Sequence, residues 1–308
     1  MQTTLKSAVK FRGVGLHSGA AVVLRILPAS AEYGIWIRRT DVEARDGMIA
    51  ARYDQAEETP LCTRLVNPAG VSVSTVEHVM AALAGCGVHN ALIEVDGPEF
   101  PVLDGSAAPF VAAILKAGLQ ELDAPVRAIE VLRPVEVRNG DAVARLDPAR
   151  VLTIDFDIEF PDAAIGRQQK VLNMANGAFV RELCDSRTFC RAEDVAAMRD
   201  QGLALGGTYE NAVVVAGDDV LSPGGLRHAD EAVRHKMLDA LGDLALAGAP
   251  VLGRYTGIRA GHTLTNRLLH ALFADPANYR MVVCAPTQSD SLPGAHVTQA
   301  DLALLIGA

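Results

Sequence analysis

The two halves of this 308-residue sequence predict the same order of secondary-structure elements. Each half begins with alternating or strongly apolar strands and continues with a helix, a further strand and a second helix. In the first half the predicted elements lie at 21–27, 34–39, 75–84, 90–95 and 107–119. In the second half they lie at 129–132, 135–137, 152–156, 230–247, 251–258 and 264–273. This repetition predicts an α+β fold of two similar domains, each a β-sheet layered against helices.

The polar stretch 121–125 separates the two repeated patterns and is the predicted domain boundary. We expect one domain at 1–122 and a second at 127–308. The residues at about 168–215 are extra to the repeated order and are predicted to form an insertion that could build a lid, with a helix near 194–201. If the domains pack helix to helix, the first helix of each lines their interface, which is a common position for an active site.

Composition and charge restrict the classes of function. The formal net charge of −9 argues against a nucleic-acid partner, because such a partner requires a basic face. The five cysteines are scattered and form no CxxC pair, so a reducing cytoplasm is expected rather than a disulfide framework. The N-terminus lacks the apolar core of a signal peptide, and no apolar run reaches the roughly 18 residues of a membrane helix. We therefore expect a cytoplasmic protein with no nucleic-acid partner and no transmembrane segment, and we further expect a monomer.

The segment 233–243 carries His235, Asp239 and Asp243 at helical spacing. Residues four apart in a helix lie on one face, so an imidazole and a carboxylate there can bind one divalent metal ion. Zinc in catalytic sites takes three protein ligands of this kind and leaves one position for water. The alternative is a solvated histidine–aspartate pair on a surface helix. This segment by itself favours neither interpretation.

A second polar group lies at the start of the first predicted helix. Ser74 and Glu77 have the spacing of a capping box, in which the Glu77 side chain binds the backbone amide of Ser74. His78 follows directly. If His78 joins His235 and Asp239 on a metal ion, Glu77 lies within reach of a water molecule at the metal, where a carboxylate can act as general base for hydrolysis. Capping and catalysis both remain open at this point.

Six segments of the chain carry a more specific signal when they are taken together. They are 13–19, 74–78, 104–110, 186–189, 233–239 and 261–262. In order and spacing they resemble the zinc-dependent UDP-3-O-acyl-N-acetylglucosamine deacetylases of lipid A synthesis, the LpxC family, over about residues 4–274. The resemblance implies a hydrolase that removes the N-acetyl group of an acylated UDP-sugar. It also implies that the insertion forms an apolar passage for the fatty acyl chain.

The resemblance further implies a role for each candidate site residue. It assigns the Zn²⁺ ligands to His78, His235 and Asp239, and the general base to Glu77. The other implied catalytic residues are Thr188 as oxyanion donor, His262 as an imidazolium that stabilises the oxyanion or protonates the leaving amine, Asp243 as the carboxylate that orients His262, and Lys236. The predicted substrate-binding residues are Lys236 at the diphosphate, Phe189, His17 and Arg191.

The sequence departs from the family pattern after Phe189, where Cys190 and Arg191 stand in place of the usual glycine and apolar residue. An arginine beside the acyl passage is expected to change the preference for chain length or to contact a phosphate. Two other functions stay open, namely a metal-dependent amidohydrolase of another N-acyl sugar and a non-catalytic relative that binds a nucleotide sugar. A site of two histidines and one aspartate also accepts iron in place of zinc.

Overall fold

The computed structural model describes residues 1–43 and 46–306; the remaining four residues of the two predicted domains, 44–45 and 307–308, lie outside the described residues. The N-terminal half contains β1 (Thr3–Leu5), β2 (Val9–Val14), β3 (Ala21–Pro28), β4 (Ile35–Arg39), β5 (Met48–Ala50), β6 (Ala56–Glu57), β7 (Arg64–Val66), β8 (Ser72–Ser74), α1 (Glu77–Gly85), β9 (Ala91–Val95), α2 (Ala108–Ala117) and β10 (Leu119–Glu121).

The C-terminal half contains β11 (Arg127–Val131), β12 (Val135–Asn139), β13 (Ala142–Pro148), β14 (Thr153–Glu159), β15 (Arg167–Asn173), α3 (Ala178–Glu182), β16 (Phe189–Arg191), α4 (Ala192–Asp200), β17 (Val213–Ala216), β18 (Asp219–Val220), α5 (Glu231–Ala245), β19 (Val251–Ile258), α6 (His262–Ala274), β20 (Tyr279–Val283), α7 (Pro286–Ser289) and α8 (Leu302–Ile306). This mixture confirms the predicted α+β class. No helix in the described ranges has both the length and the apolar run of a membrane span.

The central sheets of the two halves share one strand order and one set of directions. The N-terminal order is β2-β3-β9-β4-β5, and the C-terminal order includes β12-β13-β19-β14-β15. The strand after α1, β9, pairs antiparallel with β3 and parallel with β4, and the strand after α5, β19, pairs in the same way with β13 and β14. Strands β11 and β20 extend the C-terminal sheet. The repetition inferred from the sequence is therefore present in the topology.

The alternation of side chains along the strands explains which face of each sheet is buried. In β3, Val22, Leu24 and Ile26 are buried, whereas Arg25 between them is exposed. Successive side chains of a strand point to opposite faces, so this pattern leaves one face for the core. The residues of β14 alternate in the same way around the buried Phe156.

Helices α1 and α5 pack directly against each other. Gly242 in α5 permits their close approach, because a Cβ atom at this position would collide with the backbone carbonyl of Glu77. Met80 of α1 and Leu238 of α5 belong to one continuous core of buried apolar residues. The contact brings the polar residues of the two helices within reach of one another.

The C-terminal half contains a small three-stranded sheet, β16-β17-β18, with α4 beside it, and β6-β7-β8 form a separate three-stranded sheet in the N-terminal half. Helix α4 lies close to the predicted helix near 194–201. Strand β15, which the predicted insertion at 168–215 includes, instead pairs with β14 along its whole length in the main sheet. No residue of β15 is fully buried, so the strand has no apolar face that a sequence pattern could reveal. The extra substructure therefore begins after β15.

The start of α5 is held by a buried ion pair. Glu231 accepts hydrogen bonds from Arg187 Nε at 2.9 Å and Arg187 Nη2 at 3.1 Å, and from the backbone amides of Arg187 and Arg227 at 2.9 and 2.7 Å. Burial raises the pKa of Glu231, but these hydrogen bonds outweigh burial and hold the pKa below its usual value. The side chains of Arg187 and Glu231 are only 7% and 1% exposed, so water cannot replace either partner.

We expect Glu231→Gln to lower the free energy of unfolding by about 3 kcal/mol, because it leaves the buried Arg187 guanidinium without its counter-charge. Urea denaturation measures the change. Glu130→Gln is the matched control, since Glu130 pairs with the exposed Arg280 and a surface pair contributes at most about 1 kcal/mol. Equal denaturation midpoints for Glu231→Gln and the unmodified protein would contradict the expected role of the pair.

Candidate metal centre and active site

Three buried side chains from α1 and α5 converge into a possible metal-binding triad, His78, His235 and Asp239. His78 lies in the first turn of α1, whereas His235 and Asp239 are one turn apart on α5. His235 Nε2 is 3.3 Å from Asp239 Oδ1, and His78 Nε2 is 3.8 Å from the same oxygen. The three candidate ligand atoms all lie within 4.8 Å of one another.

The unpaired carboxylate oxygen of the triad fits a metal ion better than a hydrogen-bond network. Within the described ranges, Asp239 Oδ1, which faces the Nε2 atoms of both histidines, is buried without a hydrogen-bond partner. A buried carboxylate oxygen left unpaired is costly, and a cation among the three side chains would satisfy it. Ligand atoms about 2.1 Å from a tetrahedral zinc ion lie about 3.4 Å apart, close to the separations seen here. His235 Nδ1 donates to the Ser186 carbonyl at 3.0 Å, which directs the lone pair of Nε2 toward the triad.

The charge states of the triad also suit a metal ion. Burial lowers the pKa of His78 to about 3 and, in the same direction, lowers the pKa of His235. Both imidazoles are therefore neutral at pH 7, as metal ligands must be. Burial raises the pKa of Asp239, but His235 and Lys236 outweigh burial and hold the pKa below its usual range. The Lys236 ammonium donates to Asp239 Oδ2 at 2.8 Å, so Asp239 is an ionised carboxylate with its second oxygen already paired.

Glu77 is the first residue of α1 and lies beside the triad. The N-cap of α1 is Val76, and the Ser74 amide donates to the Pro98 carbonyl, so the alternative of a capping box does not form. Glu77 Oε2 instead accepts a hydrogen bond from the backbone amide of Thr63 at 3.1 Å. Burial raises the pKa of Glu77 to about 7. A carboxylate with such a pKa can take up a proton near neutral pH, as a general base must.

His262, the first residue of α6, approaches both Glu77 and the triad. Its Nε2 is 3.8 Å from Glu77 Oε1 and 3.7 Å from Asp239 Oδ2. Its Nδ1 donates to Asp243 Oδ2 at 2.9 Å. Burial disfavours the charged imidazolium, but the three carboxylates, with that of Asp243 first, outweigh burial and raise the pKa of His262 to about 9. His262 is therefore protonated at pH 7 and can donate a proton.

Thr188 and Phe189 lie where the chain enters β16. The Thr188 amide donates to the Gly105 carbonyl at 2.8 Å, which ties this segment to the N-terminal half. The Phe189 ring is edge-on to His235, with ring centroids 6.3 Å apart, and edge-on to Phe160 at 5.2 Å. Phe189 therefore connects the triad to an apolar neighbourhood formed by the C-terminal half.

His17 is held in a loop by Glu99. The His17 amide donates to Glu99 Oε1 at 2.8 Å, and His17 Nδ1 lies 3.4 Å from the Ala204 amide nitrogen, which donates to it. Burial lowers the pKa of His17; Glu99 opposes this shift and His262 adds to it. In the part of the chain that the structure describes, the buried Nε2 of His17 has no hydrogen-bond partner. The ring can thus still bind a polar group of a ligand.

Arg191 is surrounded by carboxylates. Its Nε pairs with Asp162, and its terminal nitrogens lie 2.5 Å from Glu193 and 3.9 Å from Asp194. Asp162 also accepts the Gly217 amide at 2.9 Å. A guanidinium engaged in this way has less capacity to bind a phosphate, which weakens that part of the expectation for Arg191.

Three residues that shape the site received no role in the sequence interpretation, namely Thr63, Glu99 and Gly242. Thr63 touches Glu77, 14 positions away, and Asp243, 180 positions away. Glu99 organises the loop of His17 and also accepts the hydroxyl of Thr75. Such long-range partners leave no local pattern. Gly242 gives the one available signal, since a glycine inside a predicted helix indicates close packing.

Comparison with known proteins assigns the chain to a family. A sequence profile described as "LpxC: UDP-3-O-acyl N-acetylglycosamine deacetylase" matches residues 2–274. The chain belongs to the LpxC family. A UDP-3-O-acyl-N-acetylglucosamine deacetylase of Phenylobacterium zucineum (strain HLK1) is 51% identical to it over 280 residues, which are 91% of this chain and 96% of the relative.

Two further LpxC relatives support the same assignment. UDP-3-O-acyl-N-acetylglucosamine deacetylases from Shewanella sp. (strain W3-18-1) and Shewanella oneidensis are 46% and 45% identical to this chain over 283 residues. These residues are 91% of this chain and 92% of each relative. The resemblance inferred from six segments is thereby confirmed, and the chain is a hydrolase of a deacetylase family.

Proposed function

We propose that this LpxC-family chain hydrolyses the N-acetyl amide of UDP-3-O-acyl-N-acetylglucosamine to UDP-3-O-acyl-glucosamine and acetate, the committed step of lipid A biosynthesis. The observation that carries the proposal is the pairing of Glu77, with a pKa of about 7, and His262, with a pKa of about 9, at 3.8 Å beside the triad. At one pH the first can accept a proton and the second can donate one, which amide hydrolysis requires. The names of the relatives indicate the substrate.

We also propose that His78, His235 and Asp239 hold a zinc ion. Bound zinc polarises a carbonyl group and makes a water molecule more acidic. Two neutral imidazoles and one carboxylate are donors of the kind that zinc binds, and the same set accepts iron. Metal analysis in the experiment below distinguishes these two ions.

The proton transfers are assigned to residues of this chain. Glu77, held by the Thr63 amide, takes the proton of the attacking water. His262, kept as imidazolium by Asp243, gives its proton to the amine nitrogen as the carbon–nitrogen bond breaks, so that a neutral amine leaves. We assign Thr188 as the hydroxyl that donates to the oxyanion of the tetrahedral intermediate, where a positioned donor is most effective.

We expect Asp243→Asn to move the basic limb of the pH profile of kcat/KM to lower pH. Asp243 is the strongest of the carboxylates that raise the pKa of His262, so its neutralisation lowers that pKa and the imidazolium is lost at lower pH. The maximal rate is expected to fall by roughly tenfold to a hundredfold.

The matched control is Asp185→Asn. Asp185 forms a similar pair with His228 at 2.9 Å outside the site, and its replacement should leave the profile unchanged. A basic limb that stays in place in Asp243→Asn would show that Asp243 does not set the protonation of His262.

We propose substrate contacts for the remaining candidates. His17 offers an unpaired ring nitrogen, Phe189 offers a face for the sugar or the acyl chain, and Lys236 supplies a cation for the diphosphate and the reacting centre. Arg191 ties β16 to Asp162 in the connection between β14 and β15. We infer that Arg191 affects the acyl chain by fixing this connection, which lies beside the proposed passage.

The domain organisation is part of the proposal. Strand β1 pairs with β10, and the Gln2 amide donates to the Ala124 carbonyl at 2.8 Å. The beginning and the end of the first half are therefore hydrogen-bonded to each other. This supports domains at 1–122 and 127–308. We further propose that the protein acts as a monomer. The five cysteines are free thiols, which is compatible with a cytoplasmic enzyme.

The deciding experiment measures acetate release from UDP-3-O-acyl-N-acetylglucosamine by chelator-treated protein, before and after addition of one equivalent of Zn²⁺ or, without oxygen, Fe²⁺. We expect activity to disappear with the metal and to return with zinc. Zinc binding without turnover would favour an amidohydrolase of another N-acyl sugar. The absence of both zinc binding and acetate release would refute the metal site and the proposed reaction.

A further inference from the structure

Thr63 is fully buried between the two proposed proton-transfer groups. Its backbone amide donates to Glu77 Oε2 at 3.1 Å, and its hydroxyl donates to Asp243 Oδ1 at 2.5 Å. The second oxygen of Asp243 accepts the proton of His262 Nδ1 at 2.9 Å. One residue of the N-terminal half therefore contacts the proposed base directly and the proposed acid through a single carboxylate.

The environment of Thr63 leaves its hydroxyl one main direction for donation. Asn266 Nδ2 lies 3.4 Å from Thr63 Oγ1 and donates to it, so the hydroxyl proton is directed to Asp243. Asn266 lies one turn after His262 on α6, on the same face. Hydrogen bonds to both Asp243 oxygens, one from Thr63 and one from His262, hold the carboxylate plane in one orientation. A carboxylate with only one such bond can rotate about its last side-chain torsion.

We propose that Thr63 is a positioning residue that aligns His262, through Asp243, with the base Glu77. The inference rests on the proposed function, because it assigns Thr63 to that proton-transfer machinery. It requires the hydroxyl specifically, since the backbone amide that holds Glu77 is present whatever the side chain. Thr63 lies on the connection between β6 and β7, whereas Asp243 and His262 belong to α5 and α6. Thr63 thus couples the N-terminal and C-terminal halves at the site.

The experiment compares Thr63→Val, which keeps the shape and the backbone amide, with Thr63→Ser, which keeps the hydroxyl. We expect Thr63→Val to lower kcat by about tenfold to a hundredfold, because hydrogen bonds to charged groups have effects of this size. KM and the zinc content should stay unchanged. Thr63→Ser should retain kcat within roughly threefold of the unmodified protein.

A double-mutant cycle separates positioning from a general structural effect. If Thr63 acts through Asp243, adding Thr63→Val to Asp243→Asn should lower kcat by less than about threefold beyond Asp243→Asn. Thr4→Val is the matched control, since Thr4 is also buried and its hydroxyl donates to the Asn90 carbonyl at 2.7 Å, remote from the site. This control should lower thermal stability without a change in kcat.

The outcomes distinguish the inference from the proposed function. An unmodified protein with zinc-dependent turnover, together with an unchanged kcat in Thr63→Val, would refute the inference and leave the function intact. The inference would also be refuted if Thr63→Val lowered kcat by the same factor with and without Asp243→Asn. An equal loss of kcat in Thr63→Ser and Thr63→Val would refute it as well. An unmodified protein that does not release acetate would refute the proposed function, and the role of Thr63 with it.

Discussion

Asp239→Ala is expected to abolish metal binding and to lower acetate release by at least about a thousandfold. Asp239 is the one anionic member of the triad, and its unpaired Oδ1 lies 3.3 and 3.8 Å from the two histidine nitrogens. Without it, two neutral imidazoles remain beside the Lys236 ammonium, which then repels a cation. Metal analysis of the purified protein and the acetate assay measure the two losses.

Asp230→Ala is the matched control for this prediction. Asp230 is the N-cap residue of α5, the helix that carries Asp239, and its carboxylate pairs with Arg234 and Lys170. Its replacement removes a carboxylate near the same helix without touching the triad, so metal content should stay at one equivalent. Stoichiometric zinc in Asp239→Ala would exclude the triad as the metal site.

Glu77→Gln is expected to keep the metal and to lose roughly a hundredfold to ten-thousandfold of kcat. Glutamine keeps the size of the side chain and can still accept the hydrogen bond of the Thr63 amide, so α1 and His78 should stay in place. The amide cannot take a proton from water, however, and the group with a pKa of about 7 is lost. Metal content and kcat measured on one preparation separate the two effects.

Glu94→Gln is the control for Glu77→Gln, because Glu94 is also buried but pairs with Arg25 and Arg38 in the N-terminal sheet. It should lower stability and leave kcat near that of the unmodified protein. Unchanged turnover in Glu77→Gln would require a different general base. Loss of metal in this variant would mean that Glu77 supports the triad rather than the proton transfer.

Some of the residues in these predictions are related by local spacing in the sequence, whereas others come together only in the folded chain. The pairing of His235 with Asp239 is a local property, because residues one turn apart on a helix are neighbours wherever that helix packs. The capping box was the local alternative for Glu77, and it does not form in the structure. In a capping box the Glu77 carboxylate would accept the Ser74 amide. In the folded chain the Thr63 amide lies close to Glu77 and donates to this carboxylate instead.

The surroundings of Arg191 and of β15 are likewise not contained in a local sequence pattern. Arg191 follows the motif residue Phe189, so the sequence interpretation gave it a role at the substrate. In the structure its charge is balanced by Asp162, Glu193 and Asp194. Strand β15 lies in a predicted insertion because its half-exposed, polar side chains show no apolar alternation, although its backbone pairs fully with β14. In both cases the surroundings depend on contacts formed in the folded chain, namely the carboxylates around Arg191 and the pairing of β15 with β14, and residue type alone does not predict these contacts.

The sequence by itself determined the repeated order of strands and helices, the histidine–aspartate pair on one face of α5, and membership of the LpxC family. Each of these depends on residue type and on short spacings along the chain. Only the tertiary structure decided that His78 meets this pair, that Thr63 joins Glu77 to Asp243 across 180 positions, and that the pKa of Glu77 rises to about 7 while that of His262 rises to about 9. Distances between remote residues and the loss of water around charges arise only when the two halves pack, and these set the chemistry of the site.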